Sequence, residues 1–221
     1  MRREGASLGT IHAALPVAKS TISVWVRDIP LDDEHRQALA RANPAVNGRQ
    51  VGQRAWSRIR RGERLRAQEH GRALARGGDT LHCAGCMLYW GEGSKSRNGV
   101  AFTNADPDMV RLFLRFLRES YRVNDDAIGL RINCHLGNGL TLAEIEQWWL
   151  TTLGLPSSCL RTSTVNRASR SSKGVRRPLV HGTAQLRVGS TWTVQSIYGA
   201  IQEYASCTRD EWVDLELPRR R

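Results

Sequence analysis

Apolar residues recur along the chain with two periods, and each period predicts an element. Leu8, Ile11, Ala14 and Leu15 stand at helical spacing behind Ser7, a capping residue, and Leu15-Pro-Val-Ala18 makes a turn before a second helix from Lys19 to Arg27. Val17, Ile22 and Val26 are placed to hold that second helix against the first, which turns Lys19, Ser20, Thr21, Ser23 and Arg27 outward. Asp28-Ile-Pro-Leu-Asp-Asp33 breaks the pattern, and Asp32 or Asp33 caps a further helix through Ala42. Between Arg49 and Arg76 the apolar positions thin to Val51, Ala55, Ile59, Leu65 and Leu74 among nine arginines and two acids, Glu63 and Glu69. This predicts a long, mostly exposed basic helix or pair of helices, ended by Gly77-Gly78-Asp79.

Beyond residue 80 helical and strand periods alternate. Cys83–Gly93 is a helix of small and apolar residues closing on Glu92, with Gly85, Leu88, Tyr89 and Glu92 on one stripe that is flat enough to meet a copy of itself. Val100–Thr103 is strand-like, Asp106 caps and Pro107 opens a helix with Met109, Val110, Phe113, Phe116, Leu117 and Tyr121 on its core face. Ile128, Leu130, Ile132 and Cys134 then alternate with Gly129, Arg131, Asn133 and His135, the signature of a half-buried strand with one polar face. A helix over 141–153, strands near 160–165 and 184–188, and a last helix from Thr191 to about Ser206 follow. The predicted class is α+β, with helices segregated from an antiparallel sheet. The expected organisation is an N-terminal region over 1–45, a basic helical linker over 46–79, an α+β domain over 80–208 and a tail over 209–221.

With 33 basic residues against 21 acidic ones, the formal charge of +12 argues for a polyanionic partner, nucleic acid first. Basic residues gather again in Arg167-Ala-Ser-Arg-Ser-Ser-Lys-Gly-Val-Arg-Arg177, where Arg167, Arg170, Lys173, Arg176 and Arg177 have no acid among them, and in the Pro218–Arg221 tail. No apolar run approaches the roughly 18 residues of a membrane span, and the first residues lack a signal-peptide core. Five cysteines fit a reducing compartment, so the expected location is cytoplasmic, nucleoid-associated when bound to DNA. Cys83 and Cys86 form a Cys-x-x-Cys with no second pair or His-x-x-x-His to complete a tetrahedral set, so no zinc is expected.

Two resemblances sharpen these expectations. Lys19-Ser-Thr-Ile-Ser-Val-Trp25 resembles the second helix of the helix-turn-helix in resolvase-like and repressor-like proteins, with Pro16 in place of the turn glycine. That resemblance implies that Lys19, Ser20, Thr21, Ser23 and Arg27 reach phosphates and base edges in a major groove. Cys86–Gly93 resembles the end of the LAGLIDADG homing-endonuclease motif, with Glu92 at the catalytic acid and Met87 and Trp90 departing from the pattern; Gly93-Ser-Lys95, Asn104-Ala-Asp-Pro107 and Gly182–Ser190 extend the likeness over 80–206.

The second resemblance implies a sheet that saddles double-stranded DNA, read by Arg131, Asn133, His135, Gln185 and Arg187, and a homodimer through the 83–93 helix, since one motif is present per chain. It implies Glu92 as a ligand of Mg2+ and as the catalytic acid. Lys95 is the residue placed to contact the scissile phosphate. The expected activity is sequence-specific DNA binding with Mg2+-dependent cleavage. The alternative is a non-catalytic transcription regulator on the same fold, and a recombination accessory factor or RNA binder stays open.

Overall fold

The computed structural model describes residues 1–42, 44–136, 139–166 and 179–215, with backbone alone for residues 42 and 44–51. The chain divides into two units, Met1–Ile59 and Arg60–Arg221.

In the first unit α1 (Leu8–Ala14) and α2 (Lys19–Trp25) form the expected pair. The Ser7 hydroxyl accepts from the Thr10 amide at 2.9 Å, relieving one of the orphan donors of the first turn. Ile11 and Ile22 are the buried contacts between the helices, with Val17 and Val26 half-buried beside them. His12 donates from Nδ1 to the Val17 carbonyl at 2.8 Å and ties the turn back to α1. No residue of the 15–18 turn has a positive φ, the geometry that Pro16 demands. Asp32 accepts from the His35 amide at 2.7 Å and caps α3 (Asp33–Ala42). The basic stretch is one helix, α4 (Pro44–Arg76), and from 52 to 59 none of its residues is buried.

In the second unit the C-terminal part of the basic helix is packed, not free. From Arg64 onward α4 packs on α8 (Thr191–Tyr204) with backbone nearly touching backbone. A Cβ on Gly71 would lie 1.8 Å from the Ser196 carbonyl oxygen, and one on Gly199 would lie 1.9 Å from that of Gln68. Only glycine permits the crossing. Buried amides fill the seam: Gln68 donates to Gln195 at 2.9 Å and Gln202 donates to Gln68 at 3.3 Å. Arg64 donates to the Val213 carbonyl at 2.5 Å, and Arg61 and Arg64 both pair with Asp214, at 2.8 and 2.7 Å. The hydrogen bond from Arg61 holds the Asp214 carboxyl below its ordinary range.

Asp79 caps α5 (Thr80–Glu92) through the amides of Leu81 and His82. β1 (Val100–Asn104) leads to α6 (Pro107–Tyr121), capped by Asp106 with Pro107 at its first turn as the sequence predicts. β2 (Ile128–Cys134), α7 (Leu142–Leu153), β3 (Thr164–Val165) and β4 (Thr183–Val188) complete an α+β unit with sheet order β1-β4-β2-β3. The pairs β1–β4 and β4–β2 are antiparallel. The strand expected over 160–165 shrinks to two residues, and it runs parallel to β2, so the sheet is mixed. A single parallel bridge, Leu130 to Leu160, precedes it.

β2 is buried at every second residue, and Ile128, Leu130, Ile132 and Cys134 join Phe102, Ala184 and Leu186 in one core with α5, α6 and α8. α5 enters that core by the stripe expected to meet a second chain. Gly85 lies against Phe116, whose ring would be 2.1 Å from an added Cβ, and Tyr89 is fully buried, stacked near Phe113 at 5.8 Å. Glycine at 85 therefore serves intrachain packing, because a flat spot is what a phenylalanine ring on α6 requires. The side left open carries Met87, half-buried, and Trp90 and Gly91, exposed.

Where α5, α6 and α8 meet, His82 is hydrogen-bonded to the Tyr204 hydroxyl at 2.8 Å and the Tyr121 hydroxyl at 3.2 Å. Burial holds its pKa below the ordinary 6.5.

Two predictions follow from this packing. Gly71→Val forces the α4 and α8 backbones apart, and thermal unfolding should report a loss of about 1–3 kcal/mol or more. Because folded His82 resists a proton that the unfolded chain accepts, stability is full above pH 6.5 and falls as pH drops through 6.5 toward the depressed folded value. Melting temperature against pH should show this slope, and His82→Gln should flatten it.

Candidate nucleic-acid interface

The pleat that buries one face of the sheet turns the alternate residues of β1, β4 and β2 to the other. Cross-strand register sets them in rows. Ala101, Arg187 and Gly129 form one row, Thr103, Gln185 and Arg131 the next, and Thr183 and Asn133 the third. Arg131, Asn133 and Gln185 are half-buried and Arg187 is exposed. Gln185 is held by a hydrogen bond from its Nε2 to the Thr103 hydroxyl, 3.0 Å, across the strands. His135, expected on the same face, lies exposed just past the end of β2.

A fifth residue, missed by sequence reasoning, joins Arg131, Asn133, Gln185 and Arg187 on this face. Arg161 follows the Leu130–Leu160 bridge, and its amide donates to the Leu130 carbonyl at 2.7 Å. Its guanidinium donates from Nη1 to the carbonyls of Ser158, 2.6 Å, and Leu160, 3.1 Å. The side chain lies over Gly129, with Cγ 3.3 Å from where a Cβ would stand. The signal was the pairing of an outward position on 160–165 with a glycine on the neighbouring strand, invisible until the two strands are set in parallel register.

Arg131, Arg161 and Arg187 line one groove of about 410 Å³ at the Gly129 end of the face. No carboxylate lines it, and none of the three forms an ion pair among the described residues. Arg131 Nε is shielded from water with no acceptor among the described residues, a state that ordinarily costs about 1–3 kcal/mol. Gln185, Asn133 and Thr103 occupy the other end. The groove is thus cationic and the remainder of the face neutral and polar.

In the first unit, Lys19, Ser20, Ser23 and Arg27 are exposed as expected, while Thr21 is half-buried. Val24 and Trp25 are exposed as well, Trp25 at 61 %, although their apolar character alone would place them inside. Arg167, Arg170, Lys173, Arg176 and Arg177, and the Pro218–Arg221 tail, lie outside the described residues.

Glu92 is the last residue of α5 and is exposed. Lys95 is occupied otherwise than expected. Its ammonium donates to the carbonyls of Tyr89 at 3.2 Å, Trp90 at 2.9 Å and Gly93 at 2.9 Å, closing the C-terminal end of α5, where the Gly93 amide also caps the Tyr89 carbonyl. Partial burial pushes its pKa down. As a phosphate contact it would have to release all three.

Mg2+ seeks several oxygen ligands in octahedral array. Among the described residues no group of three or more His, Cys, Asp or Glu is set to hold an ion, so Glu92 would need ligands from a second chain or from DNA to hold Mg2+. Cys83 and Cys86 lie on successive turns of α5, and burial pushes the Cys86 thiol up, away from the thiolate a metal requires. No described helix is long and apolar enough to cross a membrane.

Compared with known proteins, the chain matches no family model, no curated protein and no solved structure.

Lys95→Met separates its two roles. Loss of the carbonyl contacts should lower stability by about 1 kcal/mol after allowance for solvent screening, or roughly 2–4 °C in melting temperature. An unchanged melting temperature with weakened binding to DNA would assign the ammonium to a phosphate instead.

Proposed function

We propose that the protein is a sequence-specific double-stranded DNA-binding protein, built from a helix-turn-helix and a LAGLIDADG-like α+β unit, whose main activity is binding. The observation that carries this reading is the outer sheet face, where guanidinium and carboxamide side chains stand in rows on a rigid support with no carboxylate among them. The amides of Asn133 and Gln185 match adenine and guanidinium forks suit the phosphates that flank the bases, so these residue types in this order suit a major groove. The formal charge of +12 supports a polyanionic partner. On α2, the exposed set Lys19, Ser20, Ser23 and Arg27 supports a second reading surface, and exposed Val24 and Trp25 suit the apolar face that a thymine methyl presents. The likeness at Cys86–Gly93 supports a homodimer through α5, presented by Met87, Trp90 and Gly91 and not by the buried stripe. A regulator of transcription is the physiological role this reading favours.

Cleavage with Mg2+ is the second reading, favoured by the exposure of Glu92 at the end of α5. It depends on a second chain, because one copy of the motif supplies one such carboxylate, Glu92.

The test is selection of bound duplexes from a random pool, with and without Mg2+, followed by a supercoiled-plasmid assay on the selected site. Binding of a roughly palindromic site that is left intact under Mg2+ and Mn2+ supports the regulator. Nicking or linearisation that Glu92→Gln abolishes at unchanged melting temperature supports the nuclease. Recovery of no preferred sequence sinks both.

A further inference from the structure

The groove around Gly129 is chemically unlike the rest of the face it belongs to. Three guanidiniums converge there from three strands or strand-like segments, Arg131 on β2, Arg187 on β4 and Arg161 after the Leu160 bridge. Arg187 sits directly opposite Gly129, and Arg131 is its diagonal neighbour, a spacing of roughly 7–8 Å between such positions. Side chains of this kind stay charged, so their mutual repulsion is not relieved by loss of a proton. An anion relieves it. Two further details mark a seat rather than a chance cluster. Arg161 is fixed by hydrogen bonds to two carbonyls and by a glycine that leaves room for its stem, and Arg131 keeps an Nε–H out of water with no acceptor among the described residues.

We propose that Arg131, Arg161 and Arg187 form a phosphate-binding subsite over Gly129. It takes a tetrahedral phosphate through forked N–H donors, the geometry for which guanidinium is suited. On the reading of the sheet as a DNA-binding face, on which this assignment of the phosphate's source rests, the phosphate is a backbone phosphodiester. The face is then polar along its length: the Gly129 end anchors the backbone and carries no sequence information, while Gln185, Asn133 and Thr103 face bases. Free phosphate is the other source of the same chemistry.

The experiment has two arms on the full chain. In the first, inorganic phosphate is titrated while the arginine Nε–H resonances are followed. Saturable shifts of the Arg131 signal, absent in Arg161→Gln, are expected; shifts that never saturate, or that persist unchanged in Arg161→Gln, overturn the subsite. In the second arm, DNA affinity is measured against salt for the selected site and for unrelated duplexes. Arg161→Gln and Arg187→Gln should each weaken binding to all duplexes alike and lower the salt slope by about 1. Arg161→Lys should restore the slope without the full affinity, and Gln185→Ala should change base preference at an unchanged slope. Should Arg161→Gln alter base preference at constant slope, the residue reads bases and the proposal fails while DNA binding stands. Saturable phosphate binding in a protein that binds no DNA keeps the subsite, assigns it to a free oxyanion and removes the DNA reading. Neither phosphate nor DNA binding removes both.

Discussion

The two-residue pleat of β2 and β4 is the constraint on which most else in the second unit depends. Because side chains alternate strictly, the register that sends Ile128, Leu130 and Ile132 inward leaves Gly129, Arg131 and Asn133 no choice but the opposite face. Burying one such aliphatic side chain is worth about 1.5–3 kcal/mol, so a one-residue slip would forfeit several of them together. The position of Arg131 relative to Gln185 and Arg187 is thereby enforced by the apolar residues that alternate with them and face the core. The polar face is a consequence of the core.

A similar logic governs the helices. α4 and α8 approach until Gly71 and Gly199 each meet the other helix's backbone, and at that distance long apolar side chains have no room. The seam is filled by Gln68, Gln195 and Gln202, which satisfy one another, and by Arg64 on the Val213 carbonyl. Buried amides in such a network are tolerable because each finds a partner. α5 follows the same pattern at Gly85, where the absence of a Cβ lets Phe116 in and leaves Trp90 and Gly91 outward. The choice of which stripe of α5 is free is made inside the chain.

Strong local signals made much of this legible. The caps at Ser7 and Asp106 and the alternation of β2 each depend on residues adjacent in sequence, and the elements over 100–104, 107–121 and 128–134 match their expected bounds to within about one residue. What failed depended on contacts far along the chain. Gly85, Leu88 and Tyr89 form a helical stripe whether they face a second chain or Phe116, and periodicity does not name the partner. Three basic residues among Arg60, Arg61 and Arg64 look solvated in sequence, yet two of them pair with Asp214, about 150 residues away. Arg161 escaped notice for the same reason, since its neighbour Gly129 is distant in sequence. Lys95 was legible as a cation beside the motif, but its three carbonyl acceptors become apparent only once α5 has a defined end.

The hydrogen bond between Gln185 and Thr103 bears on how such a face would distinguish bases from backbone. A carboxamide has two N–H donors and a carbonyl acceptor, and Thr103 engages only one donor. One N–H and the carbonyl remain, the donor and acceptor that the N7 and N6 edge of adenine complements. A long side chain free in water would lose rotamer entropy on meeting a base, whereas one already held by a neighbouring hydroxyl loses less. The neighbouring arginines act in the opposite manner, since charge attracts any phosphate irrespective of sequence. On the proposed DNA-binding reading, a pre-oriented amide one row from a cationic groove would couple a contact that supplies affinity to one that supplies discrimination, at a spacing that the β4–β2 register does not allow to vary.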